Sequence, residues 1–275
     1  MGTPIGNLDD ITLRALKILK EVDLIAAEDT RHTRKLLSHF DIHTPFTSYF
    51  EHNKKSKGSY IISLLEQGKK VALVSDAGMP GISDPGEDIV REAVLAGIKV
   101  CPIPGPSASL SALVVSALPT SRFVFEGFLP RDKKERKKRL SLLNKETRTI
   151  ILYESPYRML DTLKELREHL GERQAAAARE ITKKYEEVIR GSLSEILNHF
   201  QEEPPKGEFT LVLAGAGEIK EETPGLEAIR EEVNRLVSAG MLKKEAIKEV
   251  ARRCKVPKNE VYRASLEDNS GNSER

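Results

Sequence analysis

Apolar residues recur at helical spacing over residues 10–22, where Ile11, Ala15, Ile18, Leu19 and Val22 share one face. Short apolar runs follow at 23–27, 70–75, 99–104 and 122–128, each of strand length. Between them the pattern returns to helical: one helix ends over 60–66, a second spans 86–96, and a third, opening after a Gly-Pro pair, spans 107–118. Strand and helix thus alternate, which predicts right-handed βαβ units and a mostly parallel sheet. Beyond LPTSR at 118–122 the pattern changes. Strands are predicted at 149–154, 174–180, 185–193 and 207–215, with helices at 156–169 and 192–200. Strands with so few helices between them predict a mixed sheet. ETPG at 222–225 leads into 226–266, which reads as three short helices, and the polar tail at 265–275 reads as frayed. The expected domains are 1–118, 119–222 and 223–268.

Of the 275 residues, 39% are hydrophobic and 31% charged, enough for a core and too apolar for wholesale disorder. No run approaches the ~20 apolar residues of a membrane span. The opening MGTPIGNLDD has neither a basic nor an apolar leader region, so a cytosolic (cytoplasmic) protein without membrane attachment is expected. Cys101 and Cys254 stand alone, with no CxxC, which argues against zinc and disulfide frameworks; no metal is expected, and both thiols read as buried. The net charge of +2 says little, but its distribution says more. Residues 131–148 hold nine Lys/Arg against three acids, and residues 241–263 hold eight against three. Basic faces attract phosphate backbones, although a solvated helix face explains either run alone.

Three glycine- and proline-rich turns punctuate the first half. SDAGMPGISDPG at 75–86 lies between a strand and a helix, where Gly78, Gly81 and Gly86 permit sharp turns and close ligand approach. IPGPSAS at 103–109 occupies a similar position, and TPIGN lies at 3–7. Such turns at the carboxyl ends of parallel strands form the ligand crevice of open α/β sheets. Every α/β protein also has plain βα turns; three together favour a ligand of nucleotide size. The glycine spacing is not GxGxxG and no P-loop lysine follows, so a Rossmann dehydrogenase and a kinase both fit poorly. AAEDTRHTRKLL at 26–37 crowds Glu28, Asp29, Arg31, His32 and Arg34 at a strand exit. That set can orient a hydroxyl, pair a phosphate or take a proton, or simply open a helix with Asp29 or Thr30 as its cap. LYESPYR at 152–158 ends a strand with Tyr153 and Glu154, and AREITKKYEEVIRG at 178–191 carries Glu180, Lys183 and Lys184, which a charged sheet edge would also explain.

Taken in order, TPIGNLDDIT, AAEDTRHTRKLL, SDAGMPGISDPG, IPGPSA, LYESPYR, AREITKKYEE and GEFTLVLAG resemble the ribosomal RNA small subunit methyltransferase I family, within the tetrapyrrole methylase superfamily, over nearly the whole chain. The resemblance implies a tetrapyrrole-methylase-like fold of two α/β domains, a parallel sheet then a mixed sheet, plus a small C-terminal helical RNA-binding module. It implies S-adenosyl-L-methionine bound in the cleft between domains, and 2′-O-methylation of a cytidine ribose in the decoding region of small-subunit (16S) rRNA. Carried over, the cofactor would meet Ser75, Asp76, Ala77, Gly78 and Pro80 on one loop, Pro106, Ser107 and Ala108 on the next, and Tyr153 and Glu154 with the end of GEFTLVLAG opposite. The implied partners are small-subunit rRNA or the 30S subunit, and a second copy in a homodimer. KEAIKEVARRCKVPKNEVYR has a helix-turn-helix cadence with Val256-Pro257 at the turn. Members of the family carry an apolar strand just before TPIGN; here only Met1 and Gly2 precede it, so a central parallel strand is expected to be missing.

Methyl transfer from a sulfonium is an in-line displacement that needs alignment rather than a metal. A ribose hydroxyl is a weak nucleophile, so a carboxylate should assist it, and Asp29, Glu154 and Glu180 are the candidates, with Arg31, Arg34 and Lys184 for flanking phosphates. The target must be unstacked to reach such a cleft. Two rivals remain. A small-molecule methyltransferase on this fold leaves the basic segments without a purpose. A DNA-reading regulator leaves the three glycine/proline loops unexplained.

Overall fold

The first sheet of the computed structural model is parallel throughout. Strands β1 (Leu24–Ala27), β2 (Phe46–Ser48) and β3 (Val71–Val74) lie in the order β2-β1-β3. Residues 1–217, 226–254 and 256–266 are described; the ETPG turn at 222–225 and the tail beyond Leu266 lie outside the described residues. Helices α1 (Leu13–Glu21), α2 (Thr30–His39), α3 (Lys54–Glu66) and α4 (Glu87–Leu95) cover both sheet faces. The alternation in LIAA decides which helix covers which face. Ile25 and Ala27 pack with Ala15 and Leu19 of α1 and Leu36 and Leu37 of α2. Ala26 points the other way, to Tyr49, Ile61 and Ile89. The predicted amphipathic helix begins where the Thr12 hydroxyl accepts the Ala15 N–H at 3.1 Å.

The strand predicted at 99–104 does not form. Pro102 and Pro104 have no N–H to give a ladder, and the Ile103 carbonyl instead accepts from Gly2 N–H at 3.0 Å. Cys101, expected to be buried, is therefore exposed, and Cys254 is only partly covered. Residues 1–3 run between β3 and this segment: the Met1 amino group donates to Leu73 O at 2.9 Å, and Thr3 and Gly78 exchange N–H···O bonds of 2.9 and 3.1 Å.

The second sheet holds β4 (Phe123–Phe128), β5 (Thr149–Glu154), β6 (Gln174–Arg179), β7 (Glu187–Ser192) and β8 (Phe209–Leu213) in the order β4-β5-β8-β6-β7. Only β4 and β5 are parallel, so the sheet is mixed. Ile150, Leu152, Ala175, Ala177 and Leu211 face α6 (Lys133–Leu143), α7 (Met159–Leu170) and α8 (Leu193–Glu202), while Ile151, Ala176 and Val212 face Ala112 and Leu113 of α5 (Ala108–Val115). Each large aliphatic side chain buried here contributes roughly 1.5–3 kcal/mol of transfer free energy. The helix that begins at the IPGPSAS turn thus packs on the second sheet, which brings the loops of the first sheet up to it.

The chain divides into two compact units, Met1–Ala216 and Gly217–Arg275. In the smaller, α9 (Leu226–Ser238), α10 (Lys243–Cys254) and α11 (Lys258–Ala264) enclose Val233, Ala246, Val250 and Val261, with Val256 and Pro257 between the last two helices. No described helix is long and apolar enough to cross a membrane.

Candidate active site

A cavity of about 800 Å³ opens within the larger unit, where the loops of the first sheet meet the second. Its first wall is the loop after β3, presenting Ala77, Gly78, Met79, Ser83 and Asp84. Gly78 has φ +77°, a left-handed conformation that glycine adopts without strain, and its pairing with Thr3 ties the loop to the TPIGN turn. The second wall is the amino end of α5. Ser107 caps this helix, its hydroxyl accepting the Leu110 N–H, and Ala108 and Ser109 also line the cavity.

The third wall is aromatic. The parallel register of β4 and β5 brings Tyr153 beside Phe125 and Phe128, with ring centroids 5.0 and 5.7 Å apart. The fourth wall carries charge: Glu180, Lys183 and Glu208, joined by two ion pairs of 3.0 Å from Lys183. Lys183 crosses so close over Gly6 that a Cβ there would lie 2.3 Å from its Cγ, so glycine at position 6 lets the TPIGN turn pass beneath it.

Of the residues predicted from the motifs, Ala77, Gly78, Ser107, Ala108, Tyr153, Glu154 and Glu180 line the cavity. Ser75, Asp76, Pro80 and Pro106 belong to the same loops without lining it. Glu154 is buried and committed: Oε2 accepts from the Thr162 hydroxyl at 2.6 Å and Oε1 from Ser155 N–H at 2.8 Å. Glu180 accepts from Glu208 N–H and from Lys183, both at 3.0 Å. Burial works to raise its pKa, but those two donors outweigh it and hold the carboxyl below its ordinary value.

Asp29 and Arg31 do not line the cavity. Asp29 caps α2, accepting Arg31 N–H at 2.7 Å, and its carboxylate is clasped by the Arg31 guanidinium at 2.6–3.1 Å. The guanidinium and that N–H together pull its pKa down to about 2. Its own N–H donates to Asp76 at 2.9 Å, and His32 Nδ1 lies 3.4 Å from Asp76, so the AEDTRHT cluster sits against the loop whose next residue, Ala77, lines the cavity.

The sequence reading missed Asp84, Phe125 and Phe128, while of the GEFTLVLAG segment Glu208, Phe209 and Thr210 line the cavity. Asp84 lay in plain view at the end of SDAGMPGISDPG. The two phenylalanines carried only a strand signal.

The lining suits a ligand that is part aromatic, part cationic and part anionic. Tyr153 and Phe125 offer a stacking wall, Glu180 and Glu208 offset positive charge, and the amino end of α5 suits a carboxylate. These requirements are those of S-adenosylmethionine, with its adenine, sulfonium and amino-acid ends. The model of the Tetrapyrrole (Corrin/Porphyrin) Methylases matches residues 1–197. The ribosomal RNA small subunit methyltransferase I of Bacillus subtilis (strain 168) is 50% identical over 266 residues, covering 95% of this chain and 91% of that protein. The chain belongs to the ribosomal RNA small subunit methyltransferase I family of tetrapyrrole methylases.

Another relative in this methyltransferase I family, from Thermotoga maritima, is 54% identical over 215 residues, which cover 96% of that protein and 78% of this chain. Among solved structures, a cobalt precorrin-4 methyltransferase of cobalamin biosynthesis has the same fold, with a TM-score of 0.59 at 16% identity over 78% of this chain and 92% of that one.

Proposed function

We propose that the protein methylates the ribose 2′-hydroxyl of a cytidine in the decoding region of small-subunit rRNA. The coarser activity is that of its family: it is an S-adenosylmethionine-dependent methyltransferase of small-subunit ribosomal RNA. Bound in the cavity, the cofactor supplies an electrophilic methyl group on a sulfonium. Ala77, Gly78, Ser107, Ala108 and Tyr153 would hold it, with Ser75, Asp76, Pro80 and Pro106 shaping the loops behind them.

The observation that carries the hydroxyl as acceptor is the set of carboxylates on an otherwise largely apolar cavity. A neutral hydroxyl needs a hydrogen-bond acceptor at the moment of transfer, and carboxylates are acceptors only. Glu154, locked by Thr162 and Ser155, fixes the turn after β5 rather than taking a proton. Glu180 fixes Lys183 across the TPIGN turn. Arg31, Arg34 and Lys184 are exposed and supply charge for flanking phosphates, as do Lys133, Lys134, Lys137 and Lys138 on α6 and the 223–268 module. A second copy is the other partner proposed. Val90, Val94 and Leu95 on α4 and Leu110 and Val114 on α5 are exposed apolar side chains of the kind a homodimer covers.

Incubation with labelled S-adenosylmethionine and 30S subunits lacking the modification, followed by mass-spectrometric mapping, tests the reading. The label is expected on one cytidine ribose of the decoding region. A methyl group on a base, or on RNA elsewhere, would overturn it.

A further inference from the structure

We infer that Asp84 is the group that takes the proton of the ribose hydroxyl during transfer. The inference rests on the 2′-O reading above and names a residue for it.

Four acids line the cavity, and three are already spoken for. Glu154 is bound by Thr162 and Ser155, Glu180 by Lys183 and the Glu208 N–H, and Glu208 by Lys183. Asp84 has no ion pair among the described residues. It is also held rigidly. The preceding Ser83 has φ +63°, a strained conformation for a residue with a side chain, and the following Pro85 disfavours helical backbone at Asp84. Ser83 lies close to the second sheet: a Cβ on Gly127, where β4 shifts register, would lie 2.9 Å from Ser83 Oγ. The loop that presents Asp84 is thus tied down at Gly78 by Thr3 and passes close to β4 at Ser83.

The groups around Asp84 are mostly acidic. Glu28 at the end of β1 and Asp76 in the same loop oppose its ionisation, the Ser75 hydroxyl favours it, and Glu180, Lys183 and Glu208 share the cavity from the second sheet. Burial first, then Glu28, push its pKa up to about 6. A carboxyl titrating there is ionised at neutral pH yet more basic than an ordinary aspartate, which suits a general base. In the step, the ribose 2′-oxygen bonds to the methyl carbon as the carbon–sulfur bond breaks. The bonding pair stays on sulfur, leaving a neutral thioether, and the hydroxyl proton passes to an Asp84 oxygen.

Single-turnover methylation of unmodified 30S subunits at saturating cofactor, followed from pH 5 to 8, is the test. The wild-type rate should climb through a limb near pH 6. Asp84→Asn should lower it by about 10²–10⁴-fold and flatten that limb, with cofactor affinity by calorimetry changed less than threefold, and Asp84→Glu should restore part of the rate. An Asp84→Asn enzyme with a wild-type rate and limb would overturn the assignment. So would a variant that loses cofactor affinity but reaches the wild-type rate at saturation, which would make Asp84 a cofactor ligand. Mapping the wild-type product separates this failure from failure of the 2′-O reading.

Discussion

The Thr162 hydroxyl donates to Glu154 Oε2 at 2.6 Å and accepts from Arg136 Nη2 at 2.8 Å. Arg136 belongs to the basic run of α6, but it is buried and also bonds Glu165. The run therefore serves two ends. Arg136 fixes the cavity floor from behind, while Lys133, Lys134, Lys137 and Lys138 face outward.

Arg136→Ala should accordingly cost stability. Buried pairs broken on one side cost roughly 3–5 kcal/mol, and because Glu165 is itself partly exposed, a loss of about 2–3 kcal/mol is expected in urea unfolding at pH 7. Replacing Lys134 and Lys137 by alanine should leave stability within about 0.5 kcal/mol but weaken rRNA binding and reduce its salt dependence. If both variants behave alike, the division of α6 is wrong.

Gly78→Ala should weaken cofactor binding through conformation rather than crowding. A Cβ there meets Ile5 and the Pro106 carbonyl at ordinary distances of 3.5 and 3.6 Å, but φ is +77°. Left-handed backbone costs a non-glycine residue about 1–2 kcal/mol, so calorimetry should show a loss of roughly tenfold. Gly78→Asn, better tolerated there, should lose less. An alanine variant with wild-type affinity would remove the loop from the cofactor site.

How much of this was legible depended on range. β1, β3, β5, α4, α5 and the end of α3 follow from local pattern, whereas α2 was one of two readings of its charged opening. The 99–104 segment misled because its apolar residues outweighed two prolines, and β2 escaped because three residues give no alternation to read. The motif loops were legible as turns, and the structure puts Ala77, Gly78, Ser107 and Ala108 on one cavity. The aromatic wall was not legible, because Phe125 meets Tyr153 only through the β4–β5 register. The environment of Asp84 was hidden for the same reason, since Glu28 reaches it from another strand.

A chain ending at Ala216 should keep cofactor binding. That unit is compact by itself, and the Thermotoga maritima relative matches this chain over only 215 residues. If the 223–268 module supplies RNA affinity, the shortened enzyme should bind rRNA more weakly, with a smaller salt slope. Undiminished methylation at limiting 30S subunits would assign the three-helix unit another role.

Asp29 sets the last expectation. A carboxylate already clasped by Arg31, with its pKa near 2, is a poor proton acceptor at neutral pH. Asp29→Asn should therefore reduce the single-turnover rate at saturating RNA by less than about tenfold, far short of the 10²–10⁴ scale of a lost base. Its main effects lie elsewhere. The freed Arg31 changes the salt dependence of RNA binding. Because folding lowers this pKa, the wild type holds a stability advantage above the ordinary aspartate range and loses it as the pH falls from about 4 to about 2. Thermal midpoints of Asp29→Asn and wild type should differ at pH 6 and converge near pH 2. A hundredfold loss of rate in this variant, with RNA binding intact, would place Asp29 at the reacting hydroxyl and displace Asp84 from that role.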